Sequence, residues 1–290
     1  MKAPFYSIVI PVFNAADTLE DCLESVWEQS LSDYELILIN DGSTDGSGDF
    51  LENWTEQKTG LQFSIIHQEN KGLGAARNTG IERAGGKFIA LLDADDIWHP
   101  QKLYSCHQYL QRNLDTDVLY HRVENFGLNQ SYARHTFPIK GIDDLIEKGC
   151  PLVPSASIIR CALAQEYYFQ TDSEFHGAED LYLWLELLKA KASFCYWPEA
   201  LSYYREEGGM STRIDDHLRN VLNVYEHFYR LNRISKKDYE MATQRKYYEA
   251  ARFYQKRGNH HQAHHYYSVA DSKSLKILGL RILNRLGITI

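Results

Sequence analysis

The 290-residue chain is poor in positive charge and in long apolar runs. Lys and Arg number 31 against 39 Asp and Glu, which leaves a net charge of -8 at pH 7. This balance excludes a nonspecific nucleic-acid binder, because such a protein needs a basic surface to replace counterions. No apolar stretch reaches the roughly 20 residues of a transmembrane helix. The N-terminal apolar run is interrupted by Pro11 and lacks a small-residue cleavage site, so it predicts a first strand and not a signal peptide.

Cysteine is scarce as well. The five cysteines are odd in number and show no metal-ligand spacing, a pattern that suits reduced thiols. We therefore expect a cytoplasmic protein. The chain does have a hydrophobic fraction of 44%, which is enough for one large domain or for one and a half domains of ordinary size.

Apolar segments of strand length alternate with segments of helical periodicity over the first hundred residues. Such alternation predicts parallel βαβ units, in which ligands lie beyond the carboxyl ends of the strands. The predicted strands are "YSIVIPVFN", "YELILIN", "LQFSIIHQ" and "KFIALLDADD", and the predicted helices are "TLEDCLESVWEQS", a segment through Phe50, Leu51 and Trp54, and the helix of "GLGAARNTGIERAGG".

Polar residues follow three of these strands. They are Asn14, the pair Asp41 and Asp45, and the run Asp93-Ala94-Asp95-Asp96. Turns favour Asp and Asn for reasons of their own, so one such cluster is weak evidence. Three clusters at one edge of a sheet indicate a binding site there.

The stretch "NDGSTDGSGDFLE" also matches the oxygen spacing of an EF-hand calcium loop from Asp41 to Glu52. A calcium loop leaves a helix, whereas this one follows a predicted strand. Gly48 stands where the paired EF-hand needs a hydrophobic residue, and no second loop of this kind exists in the chain. We expect a βα turn and not a calcium site.

Five motifs occur in a fixed order between about residues 5 and 212. They are "SIVIPVFN", "LILINDGSTDGS", "NKGLGAARNTGIERAGGKFIALLDADD", "GAEDLYLWLELLKA" and "LSYYREEGGMS". Together they resemble the family 2 glycosyltransferases of the GT-A fold, although none would suffice alone. The resemblance implies a Rossmann-like, mostly parallel α/β sheet over residues 1–212, with a nucleotide-binding half at 1–100 and an acceptor-binding half at 101–212. A helical region at 213–290 follows.

The resemblance also implies an activity. It is the inverting, metal-dependent transfer of a sugar, as by a hexosyltransferase, from a nucleotide-sugar donor to an acceptor. A UDP-sugar is the expected donor, and a saccharide or lipid-linked saccharide is the expected acceptor, in cell-surface polysaccharide synthesis. A divalent cation, Mn2+ or Mg2+, would act as a Lewis acid on the departing diphosphate.

Several donor-site roles carry over by resemblance. Asp93 and Asp95 match the DXD element, whose first Asp contacts ribose and whose last holds the metal ion. The carboxylate of Asp41 would accept from the edge of the base. The remaining positions expected to line the nucleotide are Pro11, Val12 and Phe13 beneath the base, together with Asn14, Arg77 and Ala94.

The acceptor side depends on "GAED". By resemblance Asp180 is the general base that deprotonates the acceptor hydroxyl. A carboxylate at a helix start is also a routine dipole partner, and Arg77 has the alternative of a surface salt bridge. Glu179 and Arg205 are weaker site candidates. Glu207 stands where many relatives have a His, which leaves the third contact to the metal open.

From about residue 213 the pattern becomes helical. The spacing of Tyr247, Ala251, Tyr254, Gly258, Ala263, Tyr267 and Ala270 is similar to one tetratricopeptide repeat, which cannot bury its own face. We expect it to pack on the catalytic domain or on another subunit, the latter giving a homo-oligomer.

Two features of this region have alternative interpretations. His260, His261, His264 and His265 have zinc-compatible i,i+4 pairs, but a solvated helical face is favoured. The tail "SLKILGLRILNRLGITI" places Lys276, Arg281 and Arg285 among Leu and Ile. It predicts either a basic amphipathic helix in peripheral contact with a membrane or a core helix.

Two rival functions remain at this point. A sugar nucleotidyltransferase needs a Gly-rich basic phosphate loop after the first strand, and "PVFNAADT" is neither Gly-rich nor basic. A catalytically silent binding scaffold would be consistent with Glu207, but Asp93, Asp95 and Asp180 are all present.

Overall fold

The computed structural model describes residues 3–60, 62–126, 132–133, 136–205, 214–270, 275–285 and 287–288. The chain forms two compact units, one from Met1–Gly141 with Pro151–Gly209 and the other from Ile142–Cys150 with Met210–Ile290. The helical C-terminal region expected from the sequence is confirmed. The second unit also takes in residues 142–150, which lie far upstream of the domain boundary that the sequence predicts between residues 212 and 213.

A nine-stranded sheet forms the centre of the first unit. Its strands are β1 (Tyr6–Val12), β2 (Tyr34–Asp41), β3 (Gln62–Gln68), β4 (Phe88–Leu91), β5 (Ile97–Trp98), β6 (Val118–Phe126), β7 (Tyr132–Ala133), β8 (Ser157–Arg160) and β9 (Phe194–Arg205). They lie in the order β3-β2-β1-β4-β8-β6-β9-β5, and β7 pairs with β6. The first four strands run parallel, whereas β8 is antiparallel to β4 and to β6.

The first unit contains the three helices that the periodicity predicts and further helices later in the chain. They are α1 (Leu19–Trp27), α2 (Ser47–Gln57), α3 (Leu73–Arg83), α4 (Lys102–Arg112), α6 (Cys161–Ala164) and α7 (Glu179–Lys189); α5 (Ile142–Lys148) belongs to the second unit. Every residue of β1 and β2 is buried, which explains why both strands read as continuous apolar runs and not as alternating ones.

Helix α3 packs directly on the sheet at Gly80. A Cβ placed there would lie 2.4 Å from Cγ1 of Val9 and 2.8 Å from Cδ1 of Ile39, so only glycine allows this approach. The close packing fixes α3 against β1 and β2, and the hydrogen bonds of Asp41 to the N–H groups of Lys71 and Gly72 hold the loop before it.

Strands β1 and β4 separate at the edge where the polar clusters lie. Their last paired residues are Val9 and Leu91, and Pro11 lies two residues further along β1 with no N–H to donate. The chain continues from β1 to β2 on one side and returns to β4 on the other, which makes this gap the topological switch point of the parallel part. Open α/β sheets bind their ligands at such a crevice.

The described part of the second unit consists of helices. Besides α5, they are α8 (Ile214–Arg230), α9 (Lys236–Lys256), α10 (His260–Val269) and α11 (Leu275–Arg285). Ser235 and Asp238 form a capping box at the start of α9. Four positions of the repeat-like spacing meet in one apolar cluster, namely Ala251, Ala263, Tyr267 and Ala270.

The histidine-rich helix and the tail also have observed roles. Nδ1 of His260 contacts Oδ1 of Asn284 at 2.8 Å, which joins α10 to α11. Ile277 and Leu280 of α11 are buried in the same apolar cluster, while Ile282 is 52% exposed. None of the helices that the structure describes combines the length and the apolar character needed to cross a membrane.

Candidate active site

The end of β1 presents one exposed aromatic ring. Pro11 and Val12 are buried within the sheet, whereas Phe13 is 51% exposed. Asn14 follows in the left-handed region with φ 49°, a conformation that Asn tolerates well. Its Oδ1 accepts from the backbone N–H of Thr44 at 2.9 Å, which ties the end of β1 to the loop after β2.

The carboxylate of Asp41 is buried and well supplied with donors. Oδ1 accepts from Nε2 of Gln68 at 2.7 Å and from the backbone N–H of Lys71 at 2.9 Å, and Oδ2 accepts from the backbone N–H of Gly72 at 2.9 Å. Asp41 therefore fixes the loop that leads into α3. Oδ2 keeps acceptor capacity, since each carboxylate oxygen has two lone pairs.

The carboxylate of Asp45 also accepts hydrogen bonds from backbone N–H groups. Its Oδ2 accepts from the N–H of Ala16 at 2.9 Å, and its Oδ1 accepts from the N–H of Ser47, where α2 begins, at 3.0 Å. The carboxylates of Asp41 and Asp45 thus serve different loops. The "NDGSTDGS" segment forms the βα turn that the sequence analysis favoured over a calcium loop.

The run after β4 folds into a tight acidic turn. The N–H of Asp96 donates to the carbonyl of Asp93 at 3.1 Å, and Oγ1 of Thr18 donates to the carbonyl of Ala94 at 2.9 Å. The N–H of Asp93 donates to Oγ of Ser155 at 3.0 Å. Asp93 and Asp95 remain partly accessible at this edge, while Asp96 is fully buried.

Arg77 connects this turn to the start of α7. Its side chain is 2% exposed, NH2 donates to Oδ1 of Asp93 at 2.6 Å, and NH1 donates to Oε1 of Glu179 at 3.2 Å. The guanidinium also lies 5.1 Å from the ring centre of Phe169. The alternative of a surface salt bridge is therefore wrong, because α3 points this side chain into the interior.

Glu179 and Asp180 begin α7 but differ in environment. Glu179 is buried, which raises the pKa of its carboxyl; Arg77 opposes this rise and Asp180 adds to it. Asp180 is half-buried, and its Oδ1 accepts from the N–H of Leu181 at 2.7 Å. Glu179 is thus a buried ion-pair partner of Arg77, whereas the carboxylate of Asp180 is more accessible to solvent.

Arg205, at the end of β9, also contacts the acidic turn through hydrogen bonds. Its Nε donates to the carbonyl of Asp95 at 2.9 Å, its backbone N–H donates to Oδ1 of Asp96 at 3.0 Å, and NH2 pairs with Oδ2 of Asp21 at 3.3 Å. The guanidinium also stacks on Phe126. Glu207, which leaves the third metal contact open, lies outside the described residues.

The acidic turn concentrates negative charge. Burial, followed by the charge of Asp93, raises the pKa of Asp95 to about 6. Burial and the charges of Asp95 and Asp93 raise the pKa of Asp96 well above its usual value. Carboxylate oxygens of this kind are the ligands that Mg2+ and Mn2+ prefer.

The metal expected from the resemblance is compatible with this set of donors. Within the described ranges, no group of three His, Cys, Asp or Glu side chains is arranged to hold an ion. Mg2+ in phosphate-transfer sites is commonly bound by one or two carboxylates together with substrate phosphates and water. Asp95 fits the protein's share of such a site.

Sequence reasoning left three members of this site unassigned. Asp96 is the last acid of the turn, and the sequence shows it as the last residue of the run Asp93-Ala94-Asp95-Asp96. Asp21 lies on the exposed face of α1, and Ser155 lies in a segment without a motif, so neither could be recognised from local pattern. Their partners, Arg205 and Asp93, lie 184 and 62 residues away in sequence.

The chain is also similar in sequence to known proteins. The family model described as glycosyl transferase family 2 matches residues 7–168, more than half of the chain. The Bacillus subtilis glycosyltransferase homologue EpsH is 42% identical over 120 residues, a match that covers 41% of this chain and 33% of EpsH. TuaG of the same organism, named for teichuronic acid biosynthesis, is 30% identical over 221 residues, covering 70% of this chain and 79% of TuaG. Matches thus range from about a third to most of a relative's length.

Solved structures share the fold. TarS 1–349 of S. aureus, in complex with UDP-GlcNAc, has a TM-score of 0.65 at 16% identity, covering 97% of this chain and 87% of that one. Mannosyltransferase PcManGT from Pyrobaculum calidifontis, in complex with GDP-Man and Mn2+, has a TM-score of 0.64 at 17% identity, covering 99% and 81%. The GT-A fold expected from the sequence is confirmed. The chain belongs to glycosyl transferase family 2.

Proposed function

We propose that this chain is an inverting, metal-dependent glycosyltransferase that moves a hexose from a UDP-sugar to a saccharide or lipid-linked saccharide. The observation that carries the proposal is the buried bridge through Arg77. It joins Asp93, at the end of β4, to Glu179, the neighbour of Asp180. A donor-side carboxylate and the residue next to the candidate base are thereby held by one buried side chain.

On the donor side, Asp93 contacts the ribose and Asp95 holds Mn2+ or Mg2+. The cation, when bound, stabilises the negative charge of the departing nucleoside diphosphate. The base of the nucleotide lies near the end of β1, where Phe13 offers an exposed ring above the buried Pro11 and Val12. The remaining acceptor capacity of Asp41 is available to an N–H of the base, with Asn14 and Ala94 shaping the loops around it.

On the acceptor side, Asp180 takes the proton of the attacking hydroxyl. A carboxylate in hydrogen-bond reach of that hydroxyl makes the oxygen a better nucleophile as its bond to the anomeric carbon forms. The oxygen attacks opposite the leaving diphosphate, so a single displacement inverts the configuration. Glu179 does not share this role, because its carboxylate is buried against Arg77.

The names of the relatives support the proposed biological setting. TuaG is named for teichuronic acid biosynthesis, and TarS was solved with UDP-GlcNAc. These names support a UDP-sugar donor and a role in cell-surface polysaccharide synthesis. We place this role in the cytoplasm, as the sequence leads us to expect. PcManGT was solved with GDP-Man, which makes GDP the necessary comparison in any test.

A peripheral membrane contact through α11 is part of the proposal. The helix buries Ile277 and Leu280, but Ile282 is exposed and Arg281 and Arg285 lie on the same helix. Cosedimentation with anionic vesicles checks this contact by comparing the full chain with an Ile282→Glu, Arg285→Glu variant. Equal binding of both proteins contradicts it.

The decisive test of the main proposal is a donor screen followed by a transfer assay. Thermal shift is measured for UDP-sugars and GDP-sugars with and without Mn2+, and the best donor is then tried with saccharide acceptors. We expect stabilisation by a UDP-sugar that requires Mn2+, followed by release of UDP. A nucleotidyltransferase would consume a sugar phosphate and a nucleoside triphosphate instead. A silent scaffold would bind without releasing UDP.

A further inference from the structure

Ser155 is the centre of a buried polar network beneath the acidic turn. Its Oγ accepts from the N–H of Asp93, and its carbonyl oxygen accepts from three donors on other segments. These are Nε1 of Trp98 at 2.8 Å, Nζ of Lys102 at 2.6 Å and Oγ of Ser202 at 2.8 Å. One residue thus connects the turn to α4 and to β9.

The network includes a lysine that is wholly removed from solvent. Lys102 is 0% exposed, and its Nζ lies 3.6 Å from the ring centre of Trp98. Burying an amine costs free energy unless hydrogen bonds compensate, and burial lowers the pKa of Lys102 well below its usual value. The amine donates an N–H in either protonation state, so its bond to Ser155 does not depend on its charge.

Two residues, Ser155 and Ser202, connect this network to the acidic turn. Ser155 holds the N–H of Asp93 at the beginning of the turn. Ser202 lies three residues before Arg205 on β9, and Arg205 holds the carbonyl of Asp95. A displacement of the Ser155 carbonyl would therefore move both supports of the acidic turn.

From this arrangement we infer that Ser155 and Lys102 are positioning residues for the Asp93 and Asp95 carboxylates. The inference rests on the proposed function, because it assigns these carboxylates to the donor and its metal. Neither residue is expected to touch the donor. They set the backbone on which the two carboxylates are presented, and supporting groups of this kind commonly change metal affinity or activity by about 10–100-fold.

The test compares two neighbouring buried serines. Ser155→Ala removes the acceptor of the Asp93 N–H but keeps the carbonyl that Lys102 contacts. Ser157→Ala is the matched control, because Ser157 is 0% exposed and its Oγ donates at 2.8 Å to the carbonyl of Val153, a residue outside the acidic turn. Titration calorimetry with UDP and Mn2+, and the donor KM and kcat, are measured for both.

We expect Ser155→Ala to weaken Mn2+-dependent UDP binding and raise the donor KM by about tenfold or more, with Ser155→Thr restoring both. Ser157→Ala should change neither, even where its melting temperature falls by the same amount. Lys102→Met should resemble Ser155→Ala; if it does not fold, the serine comparison decides alone. Equal effects of the two alanine variants overturn the inference while leaving the proposed function intact. A wild-type protein that binds neither UDP nor GDP with Mn2+ overturns both.

Discussion

Two acidic stretches end neighbouring parts of one sheet, and their carboxylates are used differently. After β2, Asp41 and Asp45 accept hydrogen bonds from the backbone N–H groups of surrounding loops. After β4, Asp93, Asp95 and Asp96 lie against one another and are braced by the arginines Arg77 and Arg205. The carboxylates of the first stretch therefore fix the conformations of loops. The carboxyl groups of the second stretch lie close enough together that burial and their mutual repulsion raise the pKa of Asp95 and Asp96.

This difference explains why spacing alone misleads. The first stretch has the oxygen pattern of a calcium loop, yet Asp41 and Asp45 serve separate loops. The second has a shorter and less distinctive pattern, yet its charge is the feature that a divalent cation would compensate. The contrast predicts that changes near the second stretch alter catalysis and metal-dependent binding. Changes in the first stretch should alter stability and, at Asp41, base binding that does not depend on the metal.

The largest expected effect is on catalysis, from Asp180→Asn. The amide keeps the size of the side chain and an acceptor for the N–H of Leu181, but it cannot take a proton. A positioned general base contributes about 10²–10⁴-fold, so we expect transfer to fall by that order while UDP binding and melting temperature change little. Asp172→Asn, at an exposed site upstream of α7, is the control. Full activity of a stable Asp180→Asn protein would assign the base to another residue.

Next comes Arg77→Met, which removes the bridge between the second stretch and α7. Loss of one partner leaves Glu179 as an uncompensated buried charge, which typically costs about 3–5 kcal/mol of stability. Urea unfolding measures the loss, and Arg83→Met on the exposed face of the same helix provides the reference. A loss of unfolding free energy no greater than that of Arg83→Met would mean that the bridge contributes little to stability.

The third expected effect is from Asp95→Asn, which should change UDP affinity only when metal is present. We expect UDP affinity to fall about 10–100-fold in the presence of Mn2+ and to change little without it. Asp45→Asn, in the first stretch, should leave the Mn2+ effect unchanged. Titration calorimetry with and without Mn2+ distinguishes these results, and an equal loss in both conditions would show that Asp95 chiefly supports the fold.

The smallest effect is expected from Asp41→Asn. The substituted amide would turn an N–H group toward the donors of Gln68, Lys71 or Gly72 and leave part of this buried set unpaired. We expect a loss of about 1–3 kcal/mol in unfolding free energy, measured by urea titration. If UDP affinity also falls without metal, Asp41 contacts the base as well as the loop. A variant as stable as the wild type contradicts the structural role.

Much of the fold could be predicted because its signals are local. Continuous apolar runs indicated that β1 and β2 are buried on both faces, and polar residues marked the strand ends. The buried side of α1 also followed from periodicity through Leu19, Cys22, Leu23 and Val26. Trp27 has the same helical spacing as these four residues but is 36% exposed, and it packs beside Trp54 and Lys58.

What the sequence by itself determined is the order of elements over the first hundred residues, the strand ends at which polar residues cluster, and the family. These depend on periodicity and on motifs of adjacent residues, which a chain displays before it folds. Only the tertiary structure decided which acids accept hydrogen bonds from loop N–H groups and which lie close to other carboxyl groups, that Arg77 is internal, and that Ser155 contacts Asp93. The reason is physical: the role of a carboxylate depends on its burial and on donors that, for Arg77 and Glu179, lie 102 residues apart in sequence.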